Sequence, residues 1–402
     1  LIGHGNRVAY LASTNLAVDG LLDRAAPLFL HRPWWRDGAV IRVGPADSVS
    51  LTRENHEQFS LDAVLQRHTD VDLLSHAQYR RLAENLVHSA CLTAATVHQS
   101  YLSPLLTQGG WDVLIVDEVS MVNPAILFTA AGLARRTIIA GDFRQLPPIA
   151  HSRSNAARHW LRTDPFHVLG IPQEIERGGH PRPLLMLREQ YRMAEDIAAV
   201  VQPAYYHQLV THETVRHRPV GPLGPHGVFV VDTSALKARA LVTAAGSRYN
   251  DVHAQVASDV LASALARGSL DAAAVSEVLV IAPFVAQVRL LTESLGDRFG
   301  RSAPSVRTIH RAQGCEADVV LLDLTDASNL PVSRFFKGRG FSSESARLLT
   351  VAVTRARQHL IVIGDMPHMR SRGVGIVVRK MMEGILSGRH MDAERILRSS
   401  AA

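Results

Sequence analysis

The 402-residue chain has only two cysteines, Cys91 and Cys315, and they lie far apart in the sequence. So few thiols exclude a disulfide framework or a thiolate metal site and favour reduced, structural thiols. The sequence also has no run of 18 or more uncharged apolar residues, and its first 25 residues lack a charged segment that leads into an apolar one. These absences argue against a membrane span or a signal peptide, so we expect a soluble, cytoplasmic protein with no membrane partner.

Lysine is also scarce, since the chain has three lysines, Lys237, Lys337 and Lys380, against 40 arginines. No residue before Lys237 can therefore supply a lysine ammonium group. Lysine and arginine together exceed the acidic residues by six, and the whole excess falls in residues 191–402. A surplus of this size permits a polyanionic partner but does not require one.

Short apolar runs recur along the chain, and their β-branched residues predict strands that are buried on both faces of a parallel sheet. These runs are residues 7–12, 113–116, 137–140, 228–231, 278–282, 319–322 and 360–363. The segments between them have helical patterns, with examples at 124–135, 192–201, 250–267 and 284–298. The alternation predicts an α/β fold.

The length suggests two or three domains. Residues 173–183 are rich in glycine, proline and charge, as linkers are, so we expect one domain over 1–182 and another over 183–402. Residues 51–90 are polar and compatible with helix, which predicts a helical insertion in the first domain.

Two other segments have simpler predictions. Residues 213–227 are rich in proline and glycine and predict a surface loop, and the tail from about residue 367 predicts a helix followed by a frayed end.

Two adjacent carboxylates, Asp117 and Glu118, follow the apolar run VLIV. A buried strand would deliver both at its C-terminal end, where open α/β sheets bind their ligands. An aspartate there can hold Mg²⁺, and the neighbouring glutamate can orient or deprotonate a water molecule. Helix capping is the alternative role for such acids.

The segment GDFRQLPP, residues 141–148, follows another predicted strand. The glycine permits a sharp turn and the two prolines stiffen the exit, so Asp142 and Gln145 would be held in fixed positions near the carboxylates. An ordinary turn between a strand and a loop is the alternative.

Two arginines, Arg192 in QYRM and Arg355 in TRAR, are candidate phosphate-binding cations. A guanidinium group offers a fixed fork of donors and a permanent charge, which suits a γ-phosphate. Salt bridges on the surface are the alternative. Two more polar segments adjoin predicted strands, TIHRAQGCEAD at 308–318 and STN at 13–15.

Taken in order, seven segments resemble conserved motifs of the superfamily 1 helicases. The segments STNLAVD, VDEVSM, GDFRQLPP, LREQYRM, VIAPFVAQ, TIHRAQGCEADVV and VAVTRARQHLIVIGD correspond to motifs Ia, II, III, IV, IVa, V and VI. The resemblance spans residues 13–365 and is greatest to the 5′-to-3′ branch with the Upf1-like and DNA2/NAM7-type enzymes. It implies two RecA-like domains of the P-loop NTPase fold, ATP and Mg²⁺ at their interface, and single-stranded DNA or RNA across their tops.

The resemblance also implies a role for each matching residue. Asp117 resembles the Mg²⁺ ligand, Glu118 the general base and Gln145 the γ-phosphate sensor, while Arg192 and Arg355 resemble arginine fingers. The other implied nucleotide-binding residues are Asp142, Gln190, Tyr191, Gly314 and Glu316. The implied nucleic-acid contacts, mostly to phosphate and sugar, are Thr14, Asn15, Thr96, Pro283, Thr308 and His310.

The sequence departs from the family pattern in three places. In motif VI, Leu348 and Thr350 stand where the family often has Arg and Asn, and in motif V, His310 stands where Asp is frequent. The Walker A loop, G-x-x-x-x-G-K-[ST], is missing ahead of motif Ia in a sequence that starts at Leu1. Because that loop and its lysine bind the β- and γ-phosphates, we expect a first domain truncated at its N-terminus and a chain that alone binds ATP poorly and hydrolyses it negligibly.

Two functions therefore stay open at this point. A longer parent protein would be an active ATP-dependent helicase, whereas a non-catalytic remnant or scaffold would bind nucleic acid through the same surface. The segment RFFKGR, residues 334–339, also allows two interpretations, a site where bases stack or a loop anchored by one phenylalanine. The histidines of the predicted loop regions, among them His207, His212, His217 and His226, favour loop positions over a zinc site.

Overall fold

The structure is a computed structural model that describes residues 1–45, 53–150, 152, 154–179, 181, 183–205, 207–218, 221–225, 227–340 and 342–400. The chain folds into two compact units. Unit 1 comprises residues 1–143 and 147–182, and unit 2 comprises residues 144–146 and 183–402. Each unit is built around one parallel sheet.

The sheet of unit 1 has five strands in the order β2-β3-β1-β4-β5, and every neighbouring pair is parallel. The strands are β1 (Val8–Ala12), β2 (Val40–Arg42), β3 (Leu92–Thr96), β4 (Trp111–Asp117) and β5 (Ala134–Ile139). The helices are α1 (Asn15–Phe29), α2 (Arg53–Phe59), α3 (Leu61–His68), α4 (His76–Ser89), α5 (Gln99–Leu102), α6 (Pro104–Thr107), α7 (Pro124–Ala131), α8 (Asn155–Leu161), α9 (Pro165–Val168) and α10 (Ile171–Glu176). Strand β1 is buried along its whole length, whereas β5 lies at an edge of the sheet with Arg135 and Arg136 exposed.

The main sheet of unit 2 has six parallel strands in the order β12-β11-β13-β14-β8-β15. They are β8 (Val228–Asp232), β11 (Leu279–Ala282), β12 (Ser305–Thr308), β13 (Ala317–Asp323), β14 (Ala356–Gly364) and β15 (Arg389–Met391). Two small ribbons are formed by β6 (Glu189–Gln190) with β7 (Val210–Thr211) and by β9 (Leu241–Val242) with β10 (Arg248–Tyr249). The helices are α11 (Glu195–Val201), α12 (Glu213–Arg216), α13 (Asp251–Ala266), α14 (Ala272–Ser276), α15 (Val285–Phe299), α16 (Glu344–Val353), α17 (Met366–Met369), α18 (Ile376–Leu386) and α19 (Ala393–Ser400).

Two apolar cores cover the faces of the six-stranded sheet, because successive side chains of a strand point to opposite faces. On β8, Val228 and Val230 join a core with residues of α11, α16 and α18, while Phe229 and Val231 join a core with residues of α13, α15 and α19. This double burial explains why the central strands are continuous apolar runs rather than alternating ones.

The parallel α/β prediction is confirmed, and all seven predicted strands lie in the two parallel sheets. The predicted insertion is helical over residues 53–89, whereas residues 51 and 52 lie outside the described residues. No helix in the described part of the chain is both long and apolar enough to cross a membrane.

Several predicted boundaries were wrong. The helix predicted over 124–135 ends at Ala131, because Gly132 follows it and the chain then enters β5. The predicted loop over 213–227 begins with α12, and the predicted linker over 173–183 begins inside α10. In those two segments residues 180, 182, 219, 220 and 226 lie outside the described residues.

The prediction of a frayed tail was also wrong. Strand β15 pairs with β8 at the edge of the six-stranded sheet, and Ala393 and Ile396 of α19 are buried in the core on the α13 side. Apolar residues spaced three apart in an otherwise polar segment provide this packing, and the sequence prediction gave them too little weight.

Candidate functional site

The predicted site residues of unit 1 follow the carboxyl ends of its parallel strands. The register pairs Ala12, the last residue of β1, with Thr96 at the end of β3 and with Asp117 at the end of β4. The loops that carry the predicted residues of motifs Ia, II and III therefore begin at one edge of the sheet, which is where open α/β sheets bind ligands.

The Asp117 carboxylate is oriented by two donors. Its Oδ2 accepts a hydrogen bond of 2.7 Å from the Tyr10 hydroxyl, and its Oδ1 accepts one of 2.8 Å from the Glu118 N–H. Burial in β1, together with the nearby charge of Asp117, raises the pKa of Tyr10 well above its usual value. Tyr10 therefore remains a neutral donor that fixes the carboxylate.

The chemistry of Asp117 suits Mg²⁺, which binds oxygen ligands and usually keeps several waters. The described residues contain no cluster of three or more His, Cys, Asp or Glu side chains that could hold a metal ion. Asp117 would hold a bound Mg²⁺ through a carboxylate oxygen. Its chemistry would be neutralisation of phosphate charge.

Glu118 has a backbone conformation that is rare for a residue with a side chain. Its φ and ψ angles are 50° and 37°, in the left-handed region. The Ser13 hydroxyl donates to its carbonyl at 3.1 Å, and the next residue, Val119, donates its N–H to the Ala140 carbonyl at 3.0 Å. The surrounding structure thus holds a strain of about 1–3 kcal/mol at a candidate catalytic carboxylate, as is common at functional sites.

Gly141 allows motif III to lie directly against motif II. A Cβ atom at position 141 would lie 2.9 Å from the Val119 nitrogen and 3.3 Å from the Ser120 nitrogen, both in the backbone. Only glycine fits this approach without a shift of the main chain. It brings Asp142, which is half-buried, beside the Asp117–Glu118 turn.

The second part of motif III is held differently. Residues 144–146 cluster with unit 2, where Leu146 joins the apolar core and Arg144 donates to the Ser342 hydroxyl at 3.1 Å. Gln145, the predicted γ-phosphate sensor, lies half-buried between these two anchored residues.

The predicted nucleic-acid contacts of unit 1 also have structural roles. The Thr14 hydroxyl caps α1 by accepting from the Ala17 N–H at 3.2 Å, and Asn15 accepts from the Arg42 guanidinium at 2.8 Å. Arg42 is fully buried and forms an ion pair of 2.9 Å with Asp19. Thr14 is nevertheless exposed and Thr96 half-buried, so both remain open to a ligand at this edge.

In unit 2, Gln190 closes the tight turn of the QYRM segment. Its side-chain oxygen accepts from the N–H groups of Arg192 (3.0 Å) and Met193 (2.7 Å), and its amide donates to the Met193 carbonyl (2.8 Å) and the Thr211 hydroxyl (2.9 Å). Gln190 is buried and its amide group is committed to these bonds, so it positions Arg192 instead of extending into solvent.

Tyr191 is the exposed aromatic residue of this turn. Its ring packs on His212 with centroids 4.3 Å apart, and its hydroxyl donates to Glu189 at 3.1 Å, which raises the pKa of Tyr191. The ring is 54% exposed and can offer its free face to a base.

Arg192 lies in a network of four charged side chains. Its Nε is 2.7 Å from Glu316, a predicted partner from motif V, and Arg357 contacts both Glu316 (3.4 Å) and Asp318 (2.7 Å). Gly314, with φ of 81°, provides the turn that precedes Glu316. Two predicted site residues are thus in contact. Arg357 was not predicted, because the TRAR segment has two arginines and the resemblance gives a role to only one of them.

Arg355, the other predicted arginine finger, is only 3% exposed. Its guanidinium donates to the carbonyls of Val351 (3.0 Å) and Cys315 (3.2 Å) and to the Thr354 hydroxyl (2.9 Å). In this conformation it ties the end of α16 to the motif V loop, with its positive charge at the negative end of the helix dipole.

The predicted nucleic-acid contacts of unit 2 gather at the ends of β11 and β12. The register pairs Ala282 with Thr308, so Pro283 and the turn with His310 leave the sheet side by side. His310 has an exposed outer edge, but partial desolvation of its ring lowers its pKa, and the charge of Glu344 opposes this effect.

The RFFKGR segment forms an anchored loop. Phe336 is buried in the core, and Phe335 packs edge-on against Phe284 with ring centroids 5.0 Å apart. Both rings are therefore engaged inside unit 2, which favours the loop interpretation over base stacking. Of the four histidines weighed as zinc ligands, His226 lies outside the described residues.

Comparisons with known proteins agree with the motif resemblance. Residues 70–153 and 173–367 match two family models, each described as an AAA domain. DNA-binding protein SMUBP-2 of Mesocricetus auratus is 27% identical over 90% of this chain and 39% of its own length. The DNA replication ATP-dependent helicase/nuclease DNA2 of Gallus gallus is 23% identical over 91% of this chain and 32% of its own length.

A solved structure of arterivirus nonstructural protein 10, a helicase in complex with DNA, is similar with a TM-score of 0.41 and 14% identity over 90% of this chain and 56% of that one. The chain spans about two fifths of the length of the curated relative SMUBP-2. The two family models and the two curated relatives together identify the family. The chain belongs to the superfamily 1 helicases, in the branch of the Upf1-like and DNA2/NAM7-type proteins, and its two parallel sheets are of the RecA-like type.

Proposed function

We propose that this chain is the core of an ATP-dependent helicase or translocase that moves 5′ to 3′ along single-stranded DNA or RNA. The observation that carries the proposal is the Asp117–Glu118 pair, a carboxylate oriented by Tyr10 beside a second carboxylate held in a strained backbone conformation. A carboxylate pair with this geometry suits Mg²⁺ binding and activation of a water molecule.

In this proposal each residue acts on ATP through its own chemistry. Asp117 holds Mg²⁺, Glu118 orients and deprotonates the attacking water, and Gln145 with Asp142 responds to the γ-phosphate. Arg192, positioned by Gln190, exchanges Glu316 for a phosphate of ATP, and Tyr191 packs against the base. Arg355 contributes only after it gives up its bonds to main-chain carbonyls, whereas Gly314 provides the turn of motif V.

The nucleic-acid strand would bind at the carboxyl edges of the two sheets. We assign this role to Thr14, Asn15 and Thr96 in unit 1 and to Pro283, Thr308 and His310 in unit 2. Contacts of these types to phosphate and sugar position a strand without reading its sequence. We also propose that the units are separate functional domains with a boundary near residues 182 and 183.

The decisive experiment measures nucleic-acid-stimulated phosphate release and displacement of tailed DNA and RNA duplexes. The protein is the product of the complete reading frame, with the 402-residue chain in parallel. We expect Glu118→Gln to lower turnover by about 10²- to 10⁴-fold while single-strand binding is retained. Unwinding only of duplexes with a 3′ tail would contradict the proposed polarity.

The alternative function is a non-catalytic module that binds nucleic acid through the same edges. The pairing of Arg192 with Glu316 is compatible with it, because exposed ion pairs also occur without catalytic roles. Single-strand binding without any phosphate release, both by the full product and by its Glu118→Gln variant, would favour this alternative.

A further inference from the structure

Arg218 holds the turn that carries Arg192, the candidate arginine finger. Its Nη1 donates to the Arg192 carbonyl and its Nη2 to the Tyr191 carbonyl, each at 2.6 Å. Arg218 follows Arg192 by 26 residues and lies outside the seven motif segments. Because a guanidinium group is a planar fork of donors, its contact with two successive carbonyls fixes direction as well as distance.

The main chain of Arg192 is held from both sides. Its N–H donates to the side-chain oxygen of Gln190 at 3.0 Å, and its carbonyl accepts from Arg218 at 2.6 Å. The Cα–Cβ bond of Arg192 therefore keeps one direction. The side chain beyond it is 40% exposed and pairs with Glu316 at 2.7 Å, so the guanidinium can change partners while its backbone stays in place.

Arg218 stands at the end of a short folded segment, residues 211–218, which we call the brace. His212 caps the helix α12 within it, since its ring Nδ1 accepts from the Thr214 N–H at 3.3 Å. Val215 is buried, and the Arg218 N–H donates to the Val215 carbonyl at 3.2 Å. The Arg218 side chain therefore extends from a main chain that is itself anchored.

The brace also contacts the QYRM turn at other points. The Thr211 hydroxyl accepts from the Gln190 amide at 2.9 Å, and the His212 N–H donates to the Gln190 carbonyl at 3.0 Å. The His212 ring packs on Tyr191, with ring centroids 4.3 Å apart. These contacts act on the turn around Arg192 rather than on its guanidinium.

A second arginine of the brace, Arg216, makes a different contact. Its guanidinium pairs with Glu195 at the start of α11 at 2.9 Å, and both Arg216 and Arg218 are exposed. An exposed ion pair between two side chains contributes little and leaves the main chain free. A bond to a main-chain carbonyl instead restrains the residue that carries it, so Arg218 is the arginine placed to affect the candidate finger.

We propose that Arg218 is a positioning residue for Arg192, which acts on ATP hydrolysis through Arg192 and does not itself touch the nucleotide. A guanidinium group stabilises the charge of the transition state best when its backbone is already in place, because little ordering is then needed at the moment of reaction. Without Arg218 the turn loses both carbonyl contacts, and the finger has to be ordered at each turnover. The inference rests on the proposed function and adds one residue to it.

The test measures nucleic-acid-stimulated phosphate release by the product of the complete reading frame at several ATP concentrations. We expect Arg218→Ala to lower kcat by about tenfold, since a small misplacement of a reacting group has effects of this size or larger. The ratio kcat/KM should fall by the same factor, because the finger acts in the transition state rather than in ATP binding.

A double-mutant cycle distinguishes positioning from direct contact with the nucleotide. In an Arg192→Ala background, Arg218→Ala should change kcat by less than about twofold, because a residue that acts through another has no effect once the other is gone. Direct contact of Arg218 with a phosphate would instead make the two losses multiply. That result would overturn the positioning role.

Two further variants serve as controls for charge. Arg216→Ala removes an exposed arginine from the same segment and should leave kcat within about twofold of the wild type. Arg218→Lys keeps the charge but lacks the fork that spans two carbonyls, so it should lose as much activity as Arg218→Ala. A wild-type rate for Arg218→Lys would show that charge alone matters and would contradict the proposal.

Circular dichroism of each variant checks that it is folded, and Arg218→Lys replaces Arg218→Ala in the comparison if the alanine variant does not fold. An active wild-type product whose kcat is unaffected by the loss of Arg218 would overturn the positioning role alone. A wild-type product with no stimulated phosphate release would instead overturn the proposed function. The two failures are thus distinguished by the wild-type rate.

Discussion

Glu118 combines a candidate catalytic carboxylate with an unfavourable backbone conformation. Substitutions at this position can therefore separate effects on stability from effects on activity. We expect Glu118→Gly to be more stable than Glu118→Ala by about 1 kcal/mol, because glycine relieves the left-handed strain that alanine retains. Urea unfolding of the two variants measures the difference. Equal stability would mean that the turn is not strained, and neither variant should support catalysis.

The two predicted arginine fingers should differ in how much each contributes to the free energy of unfolding. Arg355→Ala leaves three hydrogen bonds unmade in a buried site, so we expect it to lower the free energy of unfolding by about 3 kcal/mol. Arg192→Ala breaks a half-exposed ion pair and should cost under ~1 kcal/mol. Denaturant titration checks both, and a large loss for Arg192→Ala would contradict the contrast.

His310 gives the proposed nucleic-acid surface a dependence on pH. Its pKa is lowered in the folded chain, so the unfolded chain binds the proton more readily and stability falls as the pH drops through the region below the usual histidine pKa. A bound phosphate favours the protonated ring. We expect single-strand affinity to rise from pH 7.5 to pH 5.5, and His310→Asn should flatten both trends, as measured by anisotropy and by unfolding at several pH values.

Strand and helix prediction succeeded where one physical signal dominated. Runs such as VLVIA and LIVI belong to central strands that are buried on both faces, and their large apolar residues made these strands recognisable from the sequence alone. The prediction missed β3, whose LTAAT sequence has small side chains, and the edge strands β12 and β15, whose polar residues alternate or face solvent. These strands form because a neighbouring strand supplies partners for their backbones, which no local pattern encodes.

A substitution in helix α19 can test whether the tail belongs to the folded core. Ile396 is 4% exposed within the apolar core on the α13 side, so Ile396→Ala should lower the free energy of unfolding by about 2–4 kcal/mol. Arg395→Ala, an exposed neighbour on the same helix, is the control and should change it by less than ~0.5 kcal/mol. A frayed tail would make the two variants indistinguishable in thermal or urea unfolding.

Across the whole chain, the motif resemblance assigned roles to individual residues, but it did not predict the contacts that each residue makes. Gln190 was predicted to touch the nucleotide, yet its amide closes the turn that carries Arg192, and Arg355 is bonded to main-chain carbonyls. Most of these bonds are local, but the bond of Gln190 to Thr211 and that of Arg355 to the Cys315 carbonyl join segments 21 and 40 residues apart, which no local pattern encodes. The contacts of Arg357 with Glu316 and Asp318 also join segments that are about 40 residues apart.

The proposed domain boundary can be tested on the intact chain. Gly178, Gly179 and the exposed Leu185 and Leu187 lie outside helices and strands, in positions of the kind that proteases cut most readily. We expect limited trypsin digestion to cleave first after Arg177 or after Arg188, with mass spectrometry locating the cut. Earlier cleavage inside either parallel sheet would contradict two compact domains.

Strand β5 affects the tendency of the protein to aggregate at high concentration. An edge strand presents unpaired N–H and carbonyl groups that can pair with the edge of another chain and start aggregation. Arg135 and Arg136 are exposed on β5, so two copies that approached edge to edge would bring like charges together. In a chain with almost no lysine, arginine takes over this protection against self-association.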